Sequence, residues 1–243
     1  MTPQRTQIIA HRGASGLVPV ANTMESFEKA VDVGAPMFEF DIRRTKDGEL
    51  VAFHDDDIDG RKLNTLSLAE LQSLAGDKGF KVPRVEDILQ RFTGRIRFDI
   101  ELKEAGYEAD IQELIHGYLR PEQYVVKSFL DEVVLKMKTL DPRNRAGLLL
   151  GKDKPSNVIR TRASELYPEL RLGRCQADFV SPHFKLLRMG FIKRMRMLGL
   201  GVYVWTVNEP DLMRQLIAQN VYAIITDHPD IALNMLPKAS SAA

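Results

Sequence analysis

Short runs rich in β-branched and aromatic residues recur along this chain and alternate with segments that carry helix-start and helix-stop residues. Eight such runs occur, namely TQIIAH, MFEFDI, RIRFDIEL, YVVKSF, RAGLLL, ADFVSP, GVYVWTV and YAIITD. Strands that alternate with helices are typical of a parallel sheet, and a count of eight favours a sheet that closes into a (β/α)8 barrel. A doubly wound open sheet is the alternative.

One segment interrupts this alternation. After the second run, TKDGELVAFHD contains an Asp-Gly pair, which is typical of a tight hairpin, so His54 is expected to return beside the second strand. Residues 56–93 are the least regular stretch and are expected to form loops and helices near the mouth of the barrel. No linker, repeat or low-complexity tract marks a boundary, so residues 1–243 should form one domain with a flexible tail at 237–243.

Composition narrows the classes of partner. The 243 residues include 34 Lys and Arg against 33 Asp and Glu, and a net charge of +1 provides no broad field for nucleic acid or an acidic membrane. The single cysteine, Cys175, excludes an internal disulfide and is expected to fill the core. No apolar run reaches the ~20 residues of a spanning helix. We therefore expect a soluble, cytoplasmic protein without integral membrane association, which binds a small molecule and no nucleic acid.

Two strand-forming runs carry acids on one face. Side chains alternate across a strand, so Glu39 and Asp41 in MFEFDI share one face while the phenylalanines share the other. In RFDIELK, Asp99, Glu101 and Lys103 likewise share a face. Helices cover the outside of a parallel barrel, so the phenylalanines should face the helices and the acids should converge inside.

Converging carboxylates need positive charge. Glu39, Asp41 and a third acid from RFDIELK, with no accompanying His or Cys pattern, suit a hard ion such as Mg²⁺ or Ca²⁺ better than zinc. The alternative interpretation is an acid network that is balanced by basic side chains. The candidates for that balance are Arg43, Arg97 and Lys103.

Two histidines end strands that should reach the same mouth as the acids. The first strand runs directly into His11, Arg12 and Gly13, and the hairpin delivers His54. The glycine allows a sharp turn, the arginine can hold a phosphate with two hydrogen bonds, and paired histidines can act as base and acid. Together with a cation, this set suits the cleavage of a phosphodiester.

Positions in the fold are also predicted for several residues near helix starts, for the tryptophan and for the other histidines. Asn22 with Glu25 is expected to open one helix, and Asn208 with Pro210 and Asp211 is expected to open another. Trp205 is expected to line the pocket, with packing beneath a helix as the alternative. His116 is expected at a helix surface or edge. Structural or rim positions are expected for His183 and His228, with contact to the substrate as the alternative.

Six segments in order resemble the successive motifs of the glycerophosphodiester phosphodiesterase family, and the resemblance spans nearly the whole chain. They are HRGASG, NTMESFEKA, GAPMFEFDIRRTKDGELVAFHD, IELK, VWTVN and IITDHP. The resemblance implies a (β/α)8 barrel and metal-dependent hydrolysis of glycerophosphodiesters to glycerol 3-phosphate and an alcohol. Its site residues would be Glu39, Asp41 and Glu101 for one divalent cation, His11 and His54 for catalysis, and Arg12 and Lys103 for the phosphate.

The family mechanism implied by this resemblance proceeds through a cyclic phosphate. A glycerol hydroxyl attacks phosphorus, one histidine takes its proton, the other protonates the departing alcohol, and water then opens the ring. We assign His11 as the base and His54 as the acid.

The chain departs from the family pattern at Pro19–Thr23, where PVANT lacks the usual glutamate. This change affects the expected fit of the substrate more than the chemistry. Two other functions stay open at this point. One is a lysophospholipase D-like or sphingomyelinase D-like phosphodiesterase that acts on lipids, and the other is a non-catalytic phosphodiester-binding protein.

Overall fold

The chain folds into alternating strands and helices, which a computed structural model describes for residues 6–151 and 158–237. The strands within these residues are β1 Gln7–Ala10, β2 Met37–Arg44, β3 Leu50–Ala52, β4 Asp57–Ile58, β5 Arg61–Lys62, β6 Arg97–Leu102, β7 Tyr124–Ser128, β8 Ala146–Leu150, β9 Phe179–Pro182, β10 Gly201–Val204 and β11 Ala223–Thr226. The helices are α1 Met24–Asp32, α2 Leu68–Asp77, α3 Val85–Phe92, α4 Glu108–Tyr118, α5 Asp131–Leu140, α6 Val158–Leu166, α7 Glu169–Arg174, α8 Phe191–Met197, α9 Pro210–Ala218 and α10 Pro229–Met235.

Eight of the strands close a parallel barrel. Around the ring the order is β1, β2, β6, β7, β8, β9, β10 and β11, and β11 pairs again with β1. Each barrel strand corresponds to one of the eight runs in the sequence. The predicted (β/α)8 barrel is therefore confirmed, and the open sheet is excluded.

The predicted hairpin after the second strand is also present. It can form because β2 extends beyond the end of its neighbour β1 and leaves an edge free for β3. β1 is short and ends at Ala10, which pairs with Phe38, whereas β2 continues to Arg44. Beyond the end of β1, β3 pairs antiparallel with β2, with Ala52 opposite Ile42. The hairpin thus lies above β1 and carries His54 toward the barrel mouth.

Residues 56–93 are more regular than expected. They contain the small β4–β5 hairpin, α2 and most of a cluster of buried apolar side chains, which Val51 of β3 completes. The members within the stretch are Ile58, Leu63, Leu66, Leu71, Ala75 and Val82. Asp56, Lys62 and Asn64 of this stretch line a cavity at the barrel mouth, whereas Phe92, the last residue of α3, packs outside the barrel against Phe27 and Phe38. The predicted tail at 237–243 lies almost entirely outside the described residues.

An aromatic cluster fixes the orientation of β2 and β6. Phe38 stacks on Phe27 of α1 with ring centroids 4.6 Å apart, and it meets Phe98 of β6 edge-on at 5.3 Å. Burying a phenylalanine contributes roughly 1.5–3 kcal/mol. These rings face the helices, as predicted, so the alternate side chains of the same strands must point into the barrel.

The interior of the barrel is divided along its axis. Toward its N-terminal end it is filled by a cluster of apolar side chains, of which Ile225 also borders the cavity described below: Ile9, Met37, Val125, Phe179, Tyr203, Ala223 and Ile225. Gly147 on β8 leaves room for the ring of Phe179, since a Cβ there would lie 2.1 Å from that ring. The C-terminal end, in contrast, holds the charged side chains described below.

Cys175 is buried, as expected of a core residue, and its Sγ lies 3.7 Å from the carbonyl oxygen of Leu172. Burial raises the pKa of this thiol to about 11, so it stays protonated at neutral pH. None of the helices within residues 6–151 and 158–237 has the length and apolar content needed to cross a bilayer.

Candidate active site

A cavity of about 570 Å³ opens at the C-terminal end of the barrel, where enzymes with this fold hold their active sites. Its walls include these predicted side chains: His11, Arg12, Glu39, His54, Glu101, Lys103 and Trp205. Asp41 lies beside them, because it pairs in register with Glu101 and its Oδ1 is 2.7 Å from Lys103 Nζ. Residues predicted from separate motifs are thus brought together.

Three carboxylates form a compact cluster at the base of this cavity. Glu39, Asp41 and Glu101 are all buried, and one oxygen from each lies within 4.8 Å of the others. The spacing follows from the parallel pairing of β2 and β6, which places Asp41 opposite Glu101. The donors are all hard oxygens, as Mg²⁺ and Ca²⁺ prefer, so the residues present fit a divalent ion of this class.

Basic side chains surround the acids. Lys103 ion-pairs with both Asp41 and Glu101, and Arg12 Nε lies 3.1 Å from Asp41 Oδ2. Lys127 is buried on β7, with its Nζ 2.8 Å from Asp99 Oδ2 and 3.6 Å from Glu39 Oε1.

The alternative interpretation was an acid network balanced by basic side chains, and only one of the three basic residues expected for it contacts the clustered acids. Lys103 contacts the acids, but Arg43 binds Glu104 and Arg97 binds Gln7. Lys127 also lines the cavity, which was not predicted from the sequence. Its inward position follows from the alternation of side chains along β7.

This environment shifts the pKa values of Asp41 and Glu101 in opposite directions. Burial would raise the pKa of Asp41, but the charges of Lys103 and Arg12 outweigh it and hold that pKa below its usual range. For Glu101, burial dominates, and repulsion from Asp41 and Glu39 adds to the rise in its pKa. A divalent ion at this position would oppose both effects on Glu101, because it would stabilise the charged carboxylate.

His11 is anchored at the end of β1. Its side chain is 14% exposed, its Nδ1 lies 2.6 Å from Asp227 Oδ1, and its Nε2 lies 4.0 Å from Glu39 Oε2. Although burial acts in the opposite direction, hydrogen bonds from His11, Ser15 and Asn208 hold the pKa of Asp227 well below its usual range. Asp227 lies in the IITDHP motif directly after β11, yet no role was predicted for it.

His54 reaches the cavity from the hairpin. Its Nδ1 lies 2.8 Å from Asp55 Oδ1, and its carbonyl oxygen accepts a hydrogen bond from Arg43 Nε at 2.8 Å. Burial and the nearby charge of Lys103 lower the pKa of His54. The backbone at this position is therefore held by β2, while the ring stays partly exposed.

The loop after β1 is built by glycine and asparagine. Gly13 has φ +76°, and a Cβ there would lie 2.5 Å from the backbone of Ser26, so only glycine fits without strain. Asn22, at φ +55°, donates from Nδ2 to Asp41 Oδ2 at 2.8 Å. The prediction that Asn22 and Glu25 cap α1 is wrong, because Thr23 caps the helix together with Ser26.

Asn208 behaves in the same way. It was expected to open α9 together with Pro210 and Asp211. The helix does begin at Pro210, but Glu209 is its N-cap residue, and Asn208 Nδ2 donates to Asp227 Oδ2. Both asparagines therefore orient carboxylates of the site, and both lie next to a helix start because the loops after barrel strands lead into helices.

Aromatic side chains form the opposite wall of the cavity. Trp205 donates from Nε1 to the carbonyl oxygen of Ser181 at 2.8 Å, and its ring meets Phe129 edge-on at 5.8 Å. Both rings line the cavity. The lining position expected for Trp205 is thus the one that it occupies.

The remaining histidines lie outside the acid cluster. His116 on α4 contacts Asp141 at 3.1 Å, and the ring of His183 packs 5.1 Å from Trp205 at the rim. His228 packs against Gly16, where a Cβ would lie 2.5 Å from its ring. These are the structural and rim positions that were expected.

Known proteins resemble this chain along almost its full length. Residues 11–231 match the glycerophosphoryl diester phosphodiesterase family. The protein YhdW of Bacillus subtilis (strain 168) is 31% identical over 243 residues, which cover 93% of this chain and 96% of that protein.

Two further relatives carry the name of an activity. A glycerophosphodiester phosphodiesterase from Caldanaerobacter subterraneus subsp. tengcongensis is 28% identical, with 96% of this chain and 99% of the relative covered. The crystal structure of a glycerophosphodiester phosphodiesterase from Parabacteroides distasonis superposes with a TM-score of 0.78 at 26% identity. That alignment covers 96% of this chain and 97% of the other.

Proposed function

We propose, from the premise that this chain belongs to the glycerophosphoryl diester phosphodiesterase family, that it hydrolyses glycerophosphodiesters to glycerol 3-phosphate and an alcohol. The observation that carries this proposal is the position of His11 and His54 on the cavity that also contains Glu39 and Glu101, with Asp41 beside them. Acid–base groups next to an oxygen-rich cation site are what phosphodiester cleavage requires.

Glu39, Asp41 and Glu101 would hold one divalent ion, Mg²⁺ or Ca²⁺. When bound, such an ion polarises a phosphoryl oxygen and offsets negative charge in the transition state. Its site is prepared by Asn22, which fixes the carboxylate of Asp41, and by the paired strands β2 and β6.

The two histidines would move the protons. A glycerol hydroxyl gives its proton to His11 as its oxygen bonds to phosphorus, and the bond from phosphorus to the second alcohol breaks. His54 donates a proton to that departing oxygen. Water then opens the cyclic phosphate while the two rings exchange roles, so that each ring regains its starting proton state.

Basic side chains would bind the phosphoryl oxygens. Arg12 and Lys103 line the cavity beside the acids. Both form ion pairs with Asp41, so both side chains extend to the bottom of the cavity. Charges fixed in this way stabilise a developing oxyanion without reorganisation during the reaction. Trp205 would provide an apolar surface for a carbon-rich part of the substrate.

A substrate panel tests the proposal. Glycerophosphocholine and glycerophosphoethanolamine are expected to release glycerol 3-phosphate in the presence of Mg²⁺ or Ca²⁺, measured by a coupled dehydrogenase assay. Bis(p-nitrophenyl) phosphate is expected to react more slowly, because it lacks the neighbouring hydroxyl that attacks phosphorus. Absence of product from every glycerol diester with either ion would contradict the proposal.

The same panel separates the other two functions. A phosphodiesterase that acts on lipids would cleave lysophosphatidylcholine in preference to glycerophosphocholine. A binding protein would bind glycerophosphocholine in calorimetry without releasing product under turnover conditions.

Asn22 gives a prediction of its own. Asn22→Ala is expected to weaken metal binding by about 10- to 100-fold, because a ligand loses the group that orients it. The measurement is a titration of the thermal midpoint with Mg²⁺ or Ca²⁺. Thr23→Ala serves as the matched control, since it removes the α1 cap from the adjacent position and should lower stability without changing metal affinity. Equal metal affinity in Asn22→Ala and the unmodified protein would contradict the role.

A further inference from the structure

We propose that Asp227 is a positioning residue that holds His11 as the base: it accepts the Nδ1 proton and leaves Nε2 free to face the cavity. This inference rests on the proposed function and assigns a role to a residue outside the predicted acid cluster. β11 pairs with β1 so that Thr226 lies opposite Ala10. Asp227 directly follows Thr226 and His11 directly follows Ala10, so these two residues are neighbours at the ends of the paired strands.

The contacts of Asp227 show which way its hydrogen bond to the ring runs. Oδ1 accepts from the Ser15 hydroxyl at 2.7 Å, and Oδ2 accepts from the side-chain amide of Asn208. These hydrogen bonds also keep the pKa of Asp227 well below its usual range, so the group is ionised, and an ionised carboxylate can only accept a hydrogen bond from the ring. The proton in the 2.6 Å contact with His11 therefore lies on Nδ1.

The opposite nitrogen then has a free lone pair. His11 Nε2 is directed toward Glu39, at 4.0 Å from Oε2, on the wall of the cavity. In this tautomer Nε2 can take a proton from a hydroxyl in the cavity, whereas the other tautomer could only donate one.

The carboxylate is itself held in place. Asn208 Oδ1 accepts from the backbone nitrogen of Asp227 at 3.0 Å and from the Thr226 hydroxyl at 3.1 Å. The backbone nitrogen of His11 donates to the carbonyl oxygen of Thr226 at 2.9 Å. The ring and its acceptor are thus fixed to the same pair of strands, so their alignment does not depend on a mobile side chain.

The chemistry assigned to Asp227 is electrostatic. As the substrate oxygen bonds to phosphorus, its proton moves to His11 Nε2 and the ring becomes positively charged. Asp227 stabilises that charge and does not take the proton. When the cyclic phosphate is opened, His11 returns the proton, and the pair recovers its starting state.

A double-mutant cycle tests the role. Asp227→Asn is expected to lower kcat for glycerophosphocholine by about 10²-fold or more, since the wrong tautomer becomes accessible, with KM within about threefold. In a His11→Ala background the same substitution should cost nothing further, because Asp227 acts only through that ring. A kcat of Asp227→Asn within about threefold of the unmodified protein, or an equal loss in both backgrounds, would overturn the inference.

Asp178→Asn is the matched control. Asp178 is similarly exposed, 34% against 27% for Asp227, and it accepts hydrogen bonds from Lys138 and the backbone of Ala146. It belongs to the loop before β9, at the N-terminal end of the barrel. Its replacement should change the thermal midpoint but leave kcat unchanged. A matching loss of kcat in this variant would show that Asp227→Asn acts through stability, which would also overturn the inference.

A spectroscopic measurement keeps the inference testable if Asp227→Asn does not fold. In protein labelled with ¹⁵N-histidine, long-range proton–nitrogen correlations of the unmodified chain should show the Nδ1-protonated tautomer, in signals that His11→Ala removes. The Nε2-protonated tautomer would overturn the inference. Because this measurement needs no turnover, absence of hydrolysis by the unmodified protein would refute the proposed function separately.

Discussion

His11→Ala is expected to lower kcat for glycerophosphocholine by about 10²- to 10⁴-fold, the range typical of a lost acid or base. The reason is geometric, since the substitution removes the nitrogen that faces the cavity and leaves Arg12 and Lys103 in place to bind phosphate. KM should therefore change little. Steady-state kinetics at saturating divalent ion measure both constants, and a kcat within about threefold of the unmodified protein would contradict a catalytic role for His11.

The leaving group separates the base from the acid. The p-nitrophenyl ester of glycerol 3-phosphate keeps the attacking hydroxyl but releases an anion that needs no proton. When release of p-nitrophenolate is followed in a single turnover, the later opening of the cyclic phosphate does not enter the rate. In this assay His54→Ala should recover most of its rate with this ester, whereas His11→Ala should remain impaired by about 10²-fold or more. The reverse pattern would exchange the two roles.

Removal of divalent ions by a chelator is expected to lower turnover by about 10³-fold or more. An ion of this kind is worth several kcal/mol of charge stabilisation, and each 1.36 kcal/mol corresponds to a factor of about ten in rate. Excess Mg²⁺ or Ca²⁺ should restore the activity. Undiminished turnover in the chelator, confirmed by metal analysis of the treated protein, would contradict dependence on a divalent ion.

Glu101→Gln tests the cluster that would hold this ion. An ion that binds only the folded chain raises its thermal midpoint, and this rise should be lost when one of the three carboxylates is neutralised. Glu104→Gln is the matched control, because Glu104 lines the same cavity but pairs with Arg43 and lies outside the cluster. If Glu101→Gln kept the full ion-dependent rise, the assignment of this carboxylate would be wrong.

The fold and the position of the acids could be predicted from the sequence because both depend on local rules. Alternation along MFEFDI and RFDIELK places Glu39, Asp41 and Glu101 on one side of their strands without knowledge of anything distant. Eight repeats of strand and helix then decide which side is the interior. The aromatic cluster around Phe38 shows the same rule on the outer face.

The supporting residues could not be predicted in this way, because their partners are set by how the chain closes. Asp227 meets His11 across 216 positions of sequence, through the pairing of the last strand with the first. Asn22 was interpreted as a helix cap from its neighbours, but its left-handed backbone turns the amide toward Asp41. Local propensity indicates that an asparagine lies near a helix start and does not distinguish these two uses.

With the proposed roles of His11 and His54, the unequal lengths of β1 and β2 would allow the two proton-transfer groups to change independently in evolution. His11 follows a strand that is paired on both sides within the ring, so changes near it disturb the barrel. His54 follows a strand added outside the ring, on a segment whose residues Asp56, Lys62 and Asn64 also reach the cavity. Exchange of this hairpin with that of a relative should therefore alter the preferred leaving alcohol. The groups around His11, which would activate the attacking hydroxyl, should stay the same.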